Sequence, residues 1–222
     1  MQELVDILLC TYDRAHLIER AIASVKAQTY PHWRLLVVDD GSADDTRGLV
    51  AQLQKQDGRI AYLRLEHGGL ARARNAGIAH SGAPFLTFID ADDEYLPEHL
   101  ALRMSYFAAH PEVDLIHGGV ELVGDERDHY VVDARDPSRL IHLRDCCIGA
   151  TLFGRRAVFV TLKGFRELPY SSESDFLARA ERQFRVVRVA WPTYRYHLEP
   201  EDRTCKVIRR ATGQTAARTH EG

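Results

Sequence analysis

Pro84-Phe85-Leu86-Thr87-Phe88-Ile89-Asp90-Ala91-Asp92-Asp93 is the stretch on which the fold turns. Its first part is apolar almost throughout, too short for a helix of ordinary length, and it stops abruptly in carboxylates. A run of this kind reads as a strand buried on both faces, as in a parallel sheet. Turn formation explains one acidic residue after a strand, and three exceed what one turn needs.

Upstream, the same unit recurs. Leu4 to Thr11 is a second apolar run, followed by Ile18, Ile22 and Val25 at helical spacing. Leu35 to Val38 is a third, and the helix carrying Leu49, Val50 and Leu53 starts at Ser42, Asp44, Asp45 and Thr46. Ile60 to Leu65 makes another strand and Leu70 to Ala79 an Ala-rich helix. Downstream, Leu100, Met104 and Phe107 mark a helix after Pro97, a residue tolerated in a first turn. Four alternations in about 110 residues predict an α/β fold, a mainly parallel sheet with helices on both faces joined by right-handed crossovers.

The remainder is less regular. Val120 to Val123, Tyr130 to Val132, Ala150 to Phe153 and Val186 to Val189 read as strands, with helices near Ala157 to Leu162 and Glu173 to Gln183. No Pro or Gly linker sets this region apart. The expectation is one domain over 1–222, with a ligand-binding half over 1–110, a second half over 111–208 and a loose tail over 209–222.

In open parallel sheets ligands bind beyond the carboxyl ends of the strands. The residues there are Thr11-Tyr12-Asp13, Asp39-Asp40-Gly41-Ser42 and Asp90-Ala91-Asp92-Asp93. Carboxylates crowded on one edge repel one another and raise each other's pKa unless a cation intervenes. Hard oxygen donors favour Mg2+ or Mn2+ over zinc, and such ions commonly bridge one or two carboxylates to phosphates. Gly68-Gly69-Leu70-Ala71-Arg72-Ala73-Arg74 adds small residues and two arginines at a helix start, which suits close approach to an anion.

Bulk properties narrow the partners. With 29 Lys and Arg against 32 Asp and Glu, a formal charge of −3 argues against bulk electrostatic capture of nucleic acid and leaves room only for a local basic patch. Cys10, Cys146, Cys147 and Cys205 lack zinc-site spacing, so the expectation is reduced thiols in a cytoplasmic protein. No segment approaches the roughly 20 apolar residues of a membrane helix, and a soluble chain is expected, with peripheral association at the inner membrane face left open.

These motifs, in this order, resemble family 2 glycosyltransferases, which share a nucleotide-sugar-binding α/β fold of the A type. The resemblance covers Thr11-Tyr12-Asp13, the helix through Ser24 and Gln28-Thr29-Tyr30-Pro31, Asp39 to Thr46, Ala73-Arg74-Asn75-Ala76-Gly77 and Asp90-Ala91-Asp92-Asp93. It continues through Ser172-Glu173-Ser174-Asp175-Phe176 with Arg179, and Tyr194-Arg195-Tyr196-His197. It implies transfer of a sugar, with inversion, from a nucleotide-sugar donor, a UDP-sugar foremost, to a carbohydrate or lipid-linked acceptor in polysaccharide or glycoconjugate synthesis. Thr11, Tyr12 and Asp39 or Asp40 would hold the base and ribose, with Arg74 assisting. Asp90 would lie against the ribose or the metal, and Asp92 would be the principal metal ligand. His197 would join the metal or diphosphate, against the alternative of a surface histidine.

The sequence departs from the family's pattern at three points. Cys10 stands where proline is usual and Asp13 where asparagine is common. Ser172-Glu173 replaces a Glu-Asp pair whose second carboxylate acts as base, which makes Glu173 the base by position and leaves Asp175 as the other candidate. Two rivals remain. A sugar-phosphate nucleotidyltransferase would carry a glycine-rich loop after the first strand, which Cys10-Thr11-Tyr12-Asp13-Arg14 is not. A non-catalytic nucleotide-sugar-binding protein draws support from Ser172-Glu173.

Overall fold

The computed structural model describes residues 3–134, 136, 138–201 and 203–211. Its chain order begins β1 (Val5–Thr11), α1 (Ala15–Lys26), β2 (Trp33–Asp39), α2 (Thr46–Gln56), β3 (Ile60–Arg64), α3 (Leu70–His80) and β4 (Phe85–Asp90). There follow β5 (Glu94–Tyr95), α4 (His99–Ala109), β6 (Leu115–His117), β7 (Val120–Val123), β8 (Tyr130–Val132), β9 (Leu140–His142) and β10 (Phe153–Arg155). The last elements are α5 (Arg156–Thr161), α6 (Ser172–Glu181), β11 (Val186–Arg188), β12 (Tyr194–His197) and α7 (Thr204–Ala211).

Seven strands form the central sheet in the order β11-β6-β10-β4-β1-β2-β3. β4, β1, β2 and β3 pair in parallel, as do β11 and β6, and only β10 runs against its neighbours β4 and β6. The strand order reverses between β1 and β4, where Cys10 lies beside Asp90. A reversal of this kind opens a crevice at the carboxyl ends of the strands. All seven residues of β1 are buried, as the apolar run requires. Gly77 lets α3 settle onto β1, since a Cβ there would stand 2.8 Å from a methyl of Leu8.

A chain of aromatic rings ties the two halves together. Phe88 of β4 packs against Phe165 with centroids 5.5 Å apart, and Phe165 stacks on Phe176 of α6 at 4.7 Å. Each ring, buried to a few per cent exposure or less, contributes about 2–3 kcal/mol of transfer free energy. The Asn75 side chain fixes the middle of this chain by bonding both the N–H and the C=O of Phe165, each at 2.8 Å. The positions of Asp90, two residues beyond Phe88, and of Glu173, one turn before Phe176, therefore follow from packing.

The second half departs from expectation in three places. Ala150 to Phe153 is a 3-10 turn at Gly149–Thr151 followed by β10, because Gly154 must pass within reach of the Asp114 carbonyl, where a Cβ would come to 2.6 Å. β5, β6, β9 and β12 are strands of two to four residues, too short for a periodic signal. The tail expected to be loose from Arg209 begins inside α7, where Arg209 bonds the carboxylate of Asp128 and Lys206 pairs with the same group at 2.8 Å. Residues 212–222 lie outside the described residues. Among the described residues no helix is long and apolar enough to cross a membrane.

Candidate active site

A cleft of about 830 Å³ opens at the β1/β4 switch point and extends across β8, β9 and α6. Thr11, Tyr12, Asp40, Arg74, Asp90 and Asp92 line one end, and Glu173 lines the opposite wall. Asp39, Asp175 and His197 do not line it.

The loops after β1 and β2 are zipped together. Asp13 adopts φ +50°, a left-handed conformation that Asn and Asp tolerate better than most residues, and its carboxylate accepts from Ala43 N–H at 2.7 Å. Its own N–H donates to Ser42 Oγ at 2.9 Å. Tyr12 is left 44% exposed, its ring stacked on His67 at 4.1 Å and 25°. A planar base could stack on the same pair.

The two acids after β2 divide. Asp39 is fully buried, accepting from Ser42 N–H and from the Tyr62 hydroxyl, so it anchors the turn beneath the cleft. Asp40 faces the cleft, and its carboxylate accepts from Gly68 N–H at 3.0 Å and Gly69 N–H at 2.7 Å. The anion expected at the start of α3 is therefore the chain's own Asp40.

Arg74 is 97% buried. Its Nη2 donates to Asp90 Oδ1 at 3.3 Å, and its Nη1 lies 3.9 Å from Glu173 Oε2 and has no hydrogen-bond partner. Burial alone would pull its pKa down. The carboxylates of Asp90 and Glu173 outweigh that and hold the guanidinium more firmly charged than a free arginine.

Asp92 and Asp93 flank a second buried cation that the sequence reading missed, Arg203. Its Nη2 bonds Asp93 Oδ1 and lies 3.2 Å from Asp92 Oδ1, while its guanidinium covers the Tyr196 ring at 3.8 Å. Asp93 is wholly buried and also accepts from the Tyr194 hydroxyl at 2.7 Å and from His197 N–H at 2.9 Å. Burial raises the pKa of both acids, and Arg203 offsets part of that. A lone arginine after Glu199-Pro200-Glu201 carries no motif that would have marked it.

The second wall separates Glu173 from Asp175. Asp175 is held by Arg179 Nε at 2.8 Å and Arg166 Nη1 at 3.0 Å, on the side of α6 away from the cleft. Residues two apart on a helix point in nearly opposite directions, so only one of the pair can face a ligand.

His197, expected to join the metal or diphosphate, does not line the cleft. Its Nε2 pairs with Glu94 at 2.9 Å and its Nδ1 lies 3.3 Å from Glu199, while its neighbour Tyr196 lines the cleft. Alternation along β12 puts the two on opposite faces. Among the described residues no three His, Cys, Asp or Glu groups converge as a metal cage. Asp90 and Asp92 still offer two hard oxygen donors on the cleft, which fits a Mg2+ or Mn2+ whose other ligands are phosphate and water.

All four cysteines of the chain also line the cleft as free thiols, with Cys10 pushed up to about 12 and Cys146 to about 11, mainly by burial.

Acids and a buried arginine at a sheet's switch point, faced by a helix-borne glutamate, lie here on the A-type glycosyltransferase fold. The chain belongs to glycosyl transferase family 2, whose family model matches residues 6–160. It is 35% identical over 123 residues to the Escherichia coli UDP-Glc:alpha-D-GlcNAc-diphosphoundecaprenol beta-1,3-glucosyltransferase WfgD, covering 55% of this chain and 47% of that protein. It is also 35% identical over 102 residues to the Campylobacter jejuni GalNAc(5)-diNAcBac-PP-undecaprenol beta-1,3-glucosyltransferase, covering 45% of this chain and 33% of that protein. These alignments span less than half the length of either relative. S. aureus TarS 1–349 in complex with UDP-GlcNAc shares the fold with a TM-score of 0.73 at 20% identity, covering 89% of this chain and 59% of that one. The Pyrobaculum calidifontis mannosyltransferase PcManGT, in complex with GDP-Man and Mn2+, superposes with a TM-score of 0.70 at 20% identity, covering 94% of this chain and 60% of that one.

Proposed function

We propose that the chain transfers a sugar, with inversion, from a nucleoside diphosphate donor to an acceptor hydroxyl, and that Glu173 is the base. The observation that carries this reading is the Glu173 carboxylate facing the cleft across from Arg74 and Asp90, while Asp175 is committed to two arginines. The base and ribose of the donor bind at Thr11, Tyr12 and Asp40, with Asp39 supporting the loop from beneath. Arg74 holds Asp90 on the donor side and fixes the distance to Glu173. UDP is the favoured nucleotide, because the E. coli relative is named for a UDP-sugar and TarS was captured with one.

In the reaction, Glu173 takes the proton of the acceptor hydroxyl as its oxygen bonds to the anomeric carbon. The bond from that carbon to the diphosphate oxygen breaks on the opposite face, through an oxocarbenium-like state. Asp92, with Asp90, would hold a Mg2+ or Mn2+, which when bound stabilises negative charge on the leaving diphosphate. His197 has no part in this reading and serves the Glu94 contact.

The acceptor is a carbohydrate or lipid-linked glycan of polysaccharide or glycoconjugate synthesis, in keeping with the undecaprenol-linked substrates in the relatives' names. A lipid-linked acceptor would draw the protein to a membrane face.

Calorimetric titration of UDP, GDP, dTDP and CDP, with and without Mn2+, into the protein and into Asp92→Ala tests the donor end. Metal-dependent binding of one nucleotide, weakened by Asp92→Ala, is expected, and indifference of every nucleotide to both changes would overturn the reading. Transfer or hydrolysis of the matching sugar donor then distinguishes an enzyme from a binding protein.

A further inference from the structure

β6 and β11 run parallel to each other and, through the reversed strand β10, in the same sense as β4. Their carboxyl ends therefore lie on the same edge of the sheet as the donor site, and what they carry there has no role in the chemistry described above. β6 ends in His117 and β11 in Arg188, and the two are register partners. Laterally paired residues of neighbouring strands project from one face of the sheet. Both line the cleft, at the end remote from Tyr12 and His67 in the strand order.

Two observations mark this pair as a binding feature. The first is Arg188, one of the arginines that line the cleft. Arg74, Arg139 and Arg203 are each paired with carboxylates, whereas Arg188 makes no ion pair among the described residues and donates only to the Arg144 carbonyl. Asp145 also lines this wall without pairing with it. The stem of Arg188 passes beside Gly118, where a Cβ would lie 3.4 Å from its Cγ, so it runs alongside the residue that follows His117 in the chain. The second observation is His117 itself, 91% buried, lining the cleft, with an Nδ1 that has no partner. A buried polar atom without a partner has lost its water for nothing, and a ligand that bonds it recovers that cost.

We propose that His117 and Arg188 form a second subsite of the cleft, which binds a phosphoryl group carried by the acceptor. Arginine presents a planar fork of donors that matches phosphate oxygens, and an imidazole N–H adds one more. The inference rests on the reading of the cleft as a transferase site only for the word acceptor. The subsite stands on its own residues. With the donor diphosphate at Asp92, an acceptor phosphoryl at this end leaves the region before Glu173 for the hydroxyl that reacts.

The test is a titration of the histidine-labelled 222-residue chain, followed by the ring resonances of His117, which are assigned by their loss in His117→Gln. The protein is saturated with UDP and Mg2+ so that the donor end is filled. Inorganic phosphate, glucose 1-phosphate and acetate are the probes. Saturable shifts are expected with both phosphates, at equal or lower concentration for glucose 1-phosphate, and a far weaker response to acetate. Arg188→Gln should raise the half-saturating concentration at least ten-fold, Arg188→Lys should change it a few-fold, and UDP affinity should hold in both.

Absence of a His117 response, or an Arg188→Gln titration like that of the native protein, overturns the subsite. A response to inorganic phosphate but not to the ester overturns the acceptor as its source, and an equal response to acetate overturns the phosphoryl assignment. If UDP itself fails to bind, the transferase reading falls, and the phosphate titration of the free protein still decides the subsite.

Discussion

Arg74 Nη1 lies 3.9 Å from Glu173 Oε2, so a helix of the first half touches the proposed base on a helix of the second through one buried guanidinium. Replacing Arg74 by Met keeps the contact with Phe88 and Phe165 but leaves Asp90 and Glu173 facing each other uncompensated. Each carboxylate is about a quarter exposed and can recover some hydration. The expected loss of stability is therefore about 1–3 kcal/mol, read from urea denaturation, with weaker nucleotide binding by calorimetry.

Gly149 makes the same relationship testable without touching a charge. A Cβ at this position would stand 2.6 Å from Arg74 Nη1. Gly149→Ala should push the guanidinium off its line to Glu173 and lower turnover by more than ten-fold. Circular dichroism should show the fold intact, because the clash falls on the end of a side chain and spares the backbone.

Glu173→Gln should lower turnover by about 10²–10⁴-fold and leave UDP affinity within a few-fold. Asp175→Asn should keep most of the turnover. It should cost about 1 kcal/mol through the pairs with Arg166 and Arg179. If Asp175→Asn proved the more damaging to turnover, the base would move to Asp175.

His117 gives the protein a pH signature. Burial, aided by Arg188, pushes its pKa down to about 4, below the ordinary value near 6.5. Between these limits the unfolded chain binds the proton and the folded one does not, so this group's contribution is full above pH 6.5 and is lost as pH falls towards 4. In urea denaturation the stability gap between the native protein and His117→Gln should shrink over that window by an amount on the order of 3 kcal/mol. Comparing the two proteins at each pH cancels the opposite trend of the buried Asp92 and Asp93, whose pKa values are raised.

The parallel half of the fold was legible because its strands are unbroken apolar runs with acids at their ends, and β1, β2 and β4 lie where those runs predict. The choice between Glu173 and Asp175 was legible in principle, since helix geometry forbids both from facing the cleft. So was the placement of His197, once Tyr196 is known to point inward. Asp39 and Asp40 are harder. Both follow the same strand, and their roles depend on which one Tyr62 reaches and which one Gly68 and Gly69 reach, contacts made by residues more than twenty positions away. Arg203 was beyond reach because its meaning comes from two buried carboxylates a hundred residues earlier. His117 and Arg188 lay hidden for a related reason: strands of three residues give no periodicity, and the register that unites them exists only in the sheet.

The cleft at the switch point is also where every sulfhydryl of the molecule emerges. The protein thus carries native chemical reporters in its site and none elsewhere. The raised pKa values of Cys10, Cys146 and Cys147 leave little thiolate there at neutral pH, so their alkylation should be slow and easily followed. A filled cleft would be read directly as a footprint of protected sulfur, with no engineered label.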